Sequence, residues 1–400
     1  MYNTHSFMRK FSLAGILTVI MAFCLSSAVV SCSKRAADEP LVEEEGEYGV
    51  LSINVADPSV IATKASGSGI SYDTHEAAVN RWAIFIFTED GSSYVYRKSG
   101  LGKNDTIERR LRVGTYQVRA IANYAQSGTY AFDINSVKNL TQFNALVSGL
   151  EDNALGSFVM YGTTTTGTVN VVKTSGDESI AAQIYMRRMV SKVTLANVTL
   201  DFAKASLRSK DVTLSNVYLT NVYPKNRYSS DYSSSELESA QNKWFNCMGW
   251  HKAGSITLST AATAAVDAIT ADRNLNLALT KNVSPSSATP TAVNRVYYFY
   301  PNPTLISADS HSSTWTGARC TRLILEVVID SKTYYYQCNL PKVDANAPIR
   351  RNTAMTVSCR ITALGSLDPE QEIPPAIEWT FSIDDNDWTD ATPTPVSEES

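Results

Sequence analysis

The sequence predicts a mainly β protein made of two antiparallel β-sandwich domains with few short helices. Short apolar or alternating segments recur along the chain and are separated by turn residues, as where Glu89-Asp90-Gly91 follows an apolar run. Tyrosine is abundant, with 20 residues, and Thr, Val and Ile are spread throughout, which suits β-structure. A chain of 400 residues is long enough for two domains of ordinary size.

Residues 1–31 are predicted to be a signal peptide of the lipoprotein type. Arg9 and Lys10 form a short basic region, a long apolar run follows, and the run ends in Val29-Val30-Ser31-Cys32. We therefore expect Cys32 to be lipidated and to begin the mature chain. The alternative is a transmembrane helix, which the small residues and cysteine directly after the apolar run disfavour. Residues 32–47 are rich in Asp and Glu and predict an acidic tether.

The first sandwich is predicted over residues 48–176. Its first strand, 48–64, places Leu51, Ile53 and Val55 on one face. Residues 135–150 have a weak helical spacing of apolar side chains. The other predicted strands of this half are Trp82–Phe87, Ser93–Arg97, Thr106–Leu111, Gly114–Asn123, Phe158–Gly162 and Gly167–Lys173.

The second sandwich is predicted over residues 177–369. Residues 228–242 read as a long surface loop, and residues 255–290 have no clear period and receive no assignment. The predicted strands are Ile180–Val198, Val212–Tyr223, Val296–Tyr300, Thr321–Ile329, Thr333–Leu340 and Ala354–Ile361.

Residues 370–400 predict a proline-containing spacer followed by a last strand. Ile377, Trp379, Phe381 and Ile383 share one face of that strand. A first strand that can be cut away and a free last strand are what a protein needs if one copy's end replaces another copy's beginning. Patterning alone also fits two ordinary edge strands of one monomer.

The residues argue against an enzyme and against nucleic-acid binding. The four histidines (His5, His75, His251 and His311) are scattered, and no nucleophile, zinc-protease or phosphate-loop motif occurs. A net charge of −4 without a basic stripe disfavours nucleic acid. The Asp-rich stretch near the last strand lacks the spacing of a calcium loop, so we expect no metal and no cofactor. Runs of tyrosine could stack on sugars but more often pack within sheets.

Four cysteines remain in the predicted mature body after the signal peptide and the lipidated residue are set aside. They are too far apart for a zinc site, and an exported chain could oxidise them. Disulfides and buried thiols are equally consistent with the sequence, and no pairing can be chosen. The four candidates are Cys247, Cys320, Cys338 and Cys359.

Taken in order along the chain, several segments resemble those of the fimbrillins, the subunits of the type V pili of Bacteroidia. The resemblance covers nearly all of the mature chain. It rests on Cys32, Ala62-Thr63-Lys64-Ala65, the segments Val79–Phe87, Leu111–Tyr116, Met186–Val193 and Arg350–Thr353, and the tryptophan-ended last strand.

The resemblance implies transthyretin-like sandwich domains and a surface fimbrium that supports adhesion. It implies that the precursor crosses to the outer membrane as a lipoprotein and that a trypsin-like protease removes its first strand. It further implies that the last strand of a neighbouring copy or related subunit fills the groove head to tail. The cut is expected between Lys64 and Ala65, although Arg is typical there; Arg35 and Arg81 are the alternatives.

Three functions fit the sequence. The first is a polymerising stalk subunit, with Ile377, Trp379, Phe381 and Ile383 as the donor strand. The second is a tip, accessory or anchor subunit of the same system. The third is a surface glycan-binding lipoprotein that never polymerises.

Overall fold

Twenty strands and three short helices are present in the part of the chain described by a computed structural model. That part comprises residues 46–56, 74–233, 235–237, 244–248, 258–284, 288–304, 320–340, 349–369 and 376–384. The prediction of a mainly β fold with few short helices is confirmed.

The strands and helices have the following bounds. The strands of the first half are β1 Tyr48–Val55, β2 Trp82–Thr88, β3 Tyr94–Leu101, β4 Ile107–Arg112, β5 Gly114–Ala122, β6 Val147–Gly149, β7 Met160–Val171 and β8 Ile180–Arg188. The later strands are β9 Ser191–Leu200, β10 Val212–Thr220, β11 Lys225–Arg227, β12 Cys247–Met248, β13 Leu258–Thr260, β14 Ala271–Asp272, β15 Leu277–Ala278, β16 Pro290–Phe299, β17 Thr321–Ile329, β18 Lys332–Leu340, β19 Ala354–Ile361 and β20 Ile377–Asp384. The helices are α1 Leu140–Asn144, α2 Ala205–Arg208 and α3 Ala264–Thr270.

A seven-stranded sheet with the order β3-β2-β5-β7-β8-β1-β4 forms the first half. Side chains from both ends of this order share one apolar cluster, so the sheet folds over into two layers. Leu51 and Ile53 of β1, Ile84 and Ile86 of β2, and Ile184 of β8 all belong to that cluster and are fully buried. Burial of such branched side chains is the main stabilising contribution, about 1.5–3 kcal/mol for each.

Strand β2 is apolar at every position from Trp82 to Phe87 because both of its faces are buried. Trp82, Ile84 and Ile86 face the cluster inside the first sandwich. Phe85 and Phe87 face the opposite way, where the ring of Phe143 packs edge-on against them at 5.0 and 6.0 Å between centroids. That second cluster continues into the core of the second half.

Two main sheets form the second half, beside the two-stranded pairs β6–β11 and β12–β13. One has the order β16-β9-β19-β20, and the other the order β14-β10-β17-β18 with β15 also on β10. Most pairs are antiparallel, as predicted. Two pairs are parallel: β1 with β8 and β9 with β19. In both places the first strand of a sandwich lies beside one of its later strands.

Several sequence predictions differ from the structure in extent. The segment 180–198 is two strands, and β8 pairs with β7 and β1 in the first sheet although it was assigned to the second domain. The division into two domains at residue 176 stays a prediction. The two segments 158–162 and 167–173 are parts of one strand, β7, with an irregularity opposite Gln117 and Arg119.

The predicted helix over 135–150 is wrong in extent. Only α1 is α-helical there; the Asn139 side chain caps it by accepting from the Gln142 backbone N–H. Residues 147–149 lie beyond the end of α1 and form β6, which pairs with β11. Conversely, the unassigned segment 255–290 contains α3, capped by Thr263. In both cases pairing or packing with distant residues overrides a weak local pattern.

Candidate strand-exchange site

Strand β1 lies inside the first sheet, with a neighbour along each edge. It runs parallel to β8, with Leu51 opposite Ile180 and Val55 opposite Ile184. It runs antiparallel to β4, with Ile53 opposite Ile107. Leu51 and Ile53 are fully buried, and Val55 is half-buried. Three residues predicted to form the displaced strand therefore do share a strand, and two of them sit in the centre of the core.

Strand β4 depends on β1 for its place in the sheet. In the described residues its strand pairing is with β1, at the end of the order. Ile107 and Leu111 are buried, whereas Arg109, on the same face between them, is exposed with its guanidinium 5.0 Å from the ring centroid of Tyr96. An inward-facing charge on an edge strand discourages pairing with further strands. Removing β1 would thus leave a slot with β8 as its fixed wall and β4 as its loose wall.

Backbone hydrogen bonds from two other segments of the same chain, one on each side, hold the start of β1. The Val113 N–H donates to the Glu47 carbonyl at 2.8 Å, and the Thr174 N–H donates to the Tyr48 carbonyl at 3.3 Å. A Cβ on Gly49 would lie 2.0 Å from the Val172 carbonyl oxygen, so this position tolerates no side chain while residue 172 stays in place.

Charged and apolar side chains surround the start of β1 at residues 47–49, which we call its entry point. Lys173 Nζ lies 2.9 Å from Glu47 Oε1 in an exposed ion pair. The guanidinium of Arg110 lies 4.5 Å from the ring centroid of Tyr48. Val113 and Val172 are 43% and 50% exposed, respectively. The entry point of β1 therefore combines basic groups with exposed apolar surface.

The chain that follows the predicted cleavage site is anchored by a buried ionic network at Glu76. Glu76 lies in a short 3₁₀ helix, Thr74–Ala77, and its carboxylate contacts Lys192 Nζ at 2.8 Å. The Tyr298 hydroxyl donates to the same carboxylate at 2.5 Å. Arg188 donates from Nε to the Glu76 carbonyl at 2.6 Å, and burial lowers the pKa of that guanidinium. A cut at Lys64 would therefore release the chain before it and leave the chain from residue 74 fixed to the second half.

Strand β20 lies at the edge of its own second-half sheet. It pairs antiparallel with β19, with Trp379 opposite Cys359 and Phe381 opposite Val357. Ile377, Trp379 and Phe381 are half-buried and pack against the large second-half core. Trp379 Nε1 is shielded from solvent and has no hydrogen-bond partner among the described residues. The predicted donor strand is thus an edge strand of its own subunit in this structure, and its transfer to another copy stays a prediction.

Some predicted site residues lie outside the described part of the chain. These are Cys32, Lys64 and Ala65, together with the side chains of Ile383 and Cys247.

Three of the candidate disulfide cysteines are in the described part. Cys320, Cys338 and Cys359 are buried and form no disulfide with one another. Burial raises the pKa of the Cys359 thiol well above its ordinary value. The alternative of buried thiols therefore fits these three positions.

The described side chains support neither of two other candidate roles, sugar stacking by the tyrosine runs and metal binding. Tyr297 and Tyr298 of the tyrosine runs are buried and donate to Asp272 and Glu76, so they pack and pair within the fold. Among the described residues there is no group of three or more His, Cys, Asp or Glu side chains that could hold a metal ion. In that same part of the chain, none of the helices has the length and hydrophobicity of a membrane span.

The role of β4 and β8 as neighbours of β1 is not among the sequence predictions. One signal for it exists, since Glu108-Arg109-Arg110 carries three charges in succession where an interior strand would alternate. The anchor at Glu76 is likewise not among those predictions. Its basic partners Arg188 and Lys192 lie in the quoted segment 186–193, and charges within such an apolar stretch signal a buried partner.

This architecture is similar to that of known proteins. Residues 50–214 match the model of a family described as Major fimbrial subunit protein (FimA). The predicted resemblance to the fimbrillins is confirmed. The matched region of this fimbrillin-like chain includes β1, β4 and β8, and thus the walls of the slot. Over these residues the chain is similar to that fimbrial subunit family. No curated protein sequence matches the chain.

Solved structures from Bacteroidia share the fold of the fimbrillin-like chain. A fimbrilin from Porphyromonas gingivalis has a TM-score of 0.52 at 13% identity, over 84% of this chain and 97% of that one. A candidate cell adhesion protein from Parabacteroides distasonis has a TM-score of 0.57 at 15% identity, over 84% and 99%. One from Bacteroides eggerthii has a TM-score of 0.52 at 19% identity, over 84% and 96%. Such low identities establish the fold and nothing further.

Proposed function

We propose that the protein is a polymerising stalk subunit of a fimbrium that supports surface adhesion, and that subunits join by strand exchange. In this proposal β1 is removed, and Ile377–Ile383 of another copy takes its place. The observation that carries the proposal is the contrast between an interior first strand and an edge last strand. The interior strand leaves a two-sided slot when it is lost, whereas the edge strand can leave its sheet by breaking one ladder.

The balance of contacts favours the transfer once β1 is gone. In its own subunit β20 has one backbone ladder among the described residues, and Ile377, Trp379 and Phe381 are half-buried. In the slot the same strand would gain a ladder on each edge and bury its inward side chains against Ile107 and Ile184. Full burial of such side chains contributes about 1.5–3 kcal/mol each, and ladder hydrogen bonds add about 0.5–1.5 kcal/mol each. The joint is heterologous, so it propagates as a filament.

Proteolysis supplies the trigger in this proposal. A trypsin-like protease cuts between Lys64 and Ala65, within a Gly/Ser-containing stretch that suits protease entry. The Glu76 network keeps the remaining chain fixed, so the cut frees only the tether and β1. Until then, acylated Cys32 holds the precursor on the outer membrane, for which more than one acyl chain is needed.

Lys64→Ala tests the trigger. Cells carrying this variant should accumulate lipidated precursor, and surface fimbriae should be lost in electron micrographs. Arg81→Ala is the matched control, because Arg81 is the alternative basic site within the described fold and should leave maturation intact. N-terminal sequencing of sheared fimbriae should begin at Ala65. Fibre subunits that still carry Cys32 would contradict the proposal, and a Cys32→Ala protein displayed at normal levels would contradict the lipid anchor.

A further inference from the structure

Space at Gly49 limits how any strand can occupy the slot. No side chain fits there while Val172 stays in place, since a Cβ would meet its carbonyl oxygen at 2.0 Å. The inward residues of the donor are Ile377, Trp379, Phe381 and Ile383. None of these can stand at the Gly49 position, so the donor strand can reach only as far as the places of Leu51 and Val50. Because the fully buried place of Leu51 must also be filled to close the core, each direction of insertion then leaves a single register.

In the first register the donor runs in the direction of β1. Ile377 then takes the place of Leu51, and Glu378 takes the place of Ser52. Ser52 is opposite Glu108 of β4, which is exposed, so two carboxylates would face each other. Like charges directly opposite on neighbouring strands are destabilising. The acidic residues after the strand would also leave the slot beside Asp105, which is exposed just before β4.

In the second register the donor runs opposite to β1. Ile383 takes the place of Leu51, Phe381 that of Ile53 and Trp379 that of Val55. Ser382 then faces Glu108, and Asp384 stands at the place of Val50, which is opposite Arg110. No like charges meet in this register.

The residues that follow the donor strand also favour the second register. Residues 384–390 include four aspartates and Trp388. In the second register this acidic segment leaves the slot at the entry point of β1. There Lys173 loses its present partner, Glu47, when the first segment is removed. The exposed side chains of Val113 and Val172 lie at the same end and offer apolar surface. The acidic tether 32–47 precedes β1 at this end, so the same basic groups would receive one acidic segment in place of another.

We infer that the donor strand enters antiparallel to the strand it replaces, with Ile383 at the place of Leu51. In this arrangement Arg110 and Lys173 of the accepting copy form a basic rim that binds the acidic segment following the donor strand. The inference rests on the proposed strand exchange and adds its direction, its register and an electrostatic contact. The donor would lie antiparallel to β8 and parallel to β4.

Two disulfide variants distinguish the directions. Both carry Glu108→Cys; the first adds Ser382→Cys and the second adds Glu378→Cys. After mild oxidation of assembled fibres, the first should give a covalent ladder on a non-reducing gel and the second should not. Glu108→Cys alone controls for native cysteines. A ladder from the second variant overturns the inference but keeps strand exchange. Fibres without a ladder from either variant also overturn the inference, because neither register then places the donor beside Glu108.

Charge reversal tests the basic rim. Arg110→Glu should slow fibre growth about two- to fivefold at low salt, as expected for an exposed ion pair, and less at high salt. Arg109→Glu is the matched control, since Arg109 lies on the opposite face beside Tyr96 and should have no such effect. Asp384→Lys in the donor should restore the rate with the Arg110→Glu acceptor. Equal slowing by both Arg variants, or no restoration, overturns the role of the rim.

Discussion

Strands β1 and β20 have similar apolar alternation but very different surroundings. β1 has a neighbour on each edge, and its central side chains are fully buried. Within the described part of the chain, β20 has one neighbouring strand, and its described inward side chains are half-buried. β1, which the proposal removes, therefore has more stabilising contacts than β20, which the proposal transfers to another copy. In the proposed exchange, a covalent cut would therefore be needed to free β1, whereas β20 would have to break only one ladder. Each prediction below tests that contrast.

The largest effect is expected from removing the donor strand. Truncation after Pro375 should abolish self-assembly, because the processed subunit then accepts a strand but donates none. Full-length unprocessed subunits, whose own slot is still filled by β1, should each donate a strand to one truncated copy, which size-exclusion chromatography would detect as a dimer. The control is truncation after Asp390, which keeps β20 and should still assemble. Long fibres formed by the shorter protein alone would show that β20 is not the donor.

The anchor after the cut should contribute more to stability than the ion pair before it. Glu76→Gln removes the carboxylate that faces Lys192, both with side chains 3% exposed, and should lower the free energy of unfolding by about 3–5 kcal/mol. Glu47→Gln is the matched control, since its pair with Lys173 is exposed and should contribute less than about 1 kcal/mol. Urea unfolding of the precursor gives both values. Equal effects of the two variants would contradict the anchoring role.

Shortening buried side chains should affect the stability of the precursor and of the fibre differently. Ile53→Ala should destabilise the precursor by about 2–5 kcal/mol, because Ile53 is fully buried, and should leave fibre stability unchanged once β1 is gone. Phe381→Ala should do the reverse, with a small effect on the monomer and a large one on fibres. Urea unfolding and fibre dissociation are measured for both. A fibre sensitive to Ile53→Ala would mean that β1 stays in place.

Cys359 offers a probe for the departure of β20. It is 4% exposed beneath the strand, opposite Trp379, and burial raises the pKa of its thiol. When β20 leaves, exposure should lower this pKa towards its ordinary value and increase the thiolate population at neutral pH. Maleimide labelling located by peptide mass should therefore rise at Cys359 during assembly. Cys338, buried in β18, is the internal control. Unchanged labelling of Cys359 in fibres would argue that β20 stays on β19.

Much of the strand content followed from local pattern, and the failures have identifiable causes. Trp82–Phe87 and the hairpin of β17 and β18 were predicted because continuous apolar or alternating runs are strong signals. Helix α3 was missed because its seven residues carry little periodicity. The helix over 135–150 was overextended because the pairing of β6 with β11 depends on residues some 80 positions away.

The β-rich character of the chain and the two apolar faces of the candidate site are both visible in the sequence. Alternation places Leu51 and Ile53, and likewise Trp379 and Phe381, on one side of a strand whatever its neighbours are. Which strand is interior and which is at an edge emerges only on folding, since it depends on pairing between residues far apart in sequence. Folding also brings Glu76 against Lys192, and Glu47 against Lys173. Long-range pairing and burial set these relations, and no local pattern encodes them.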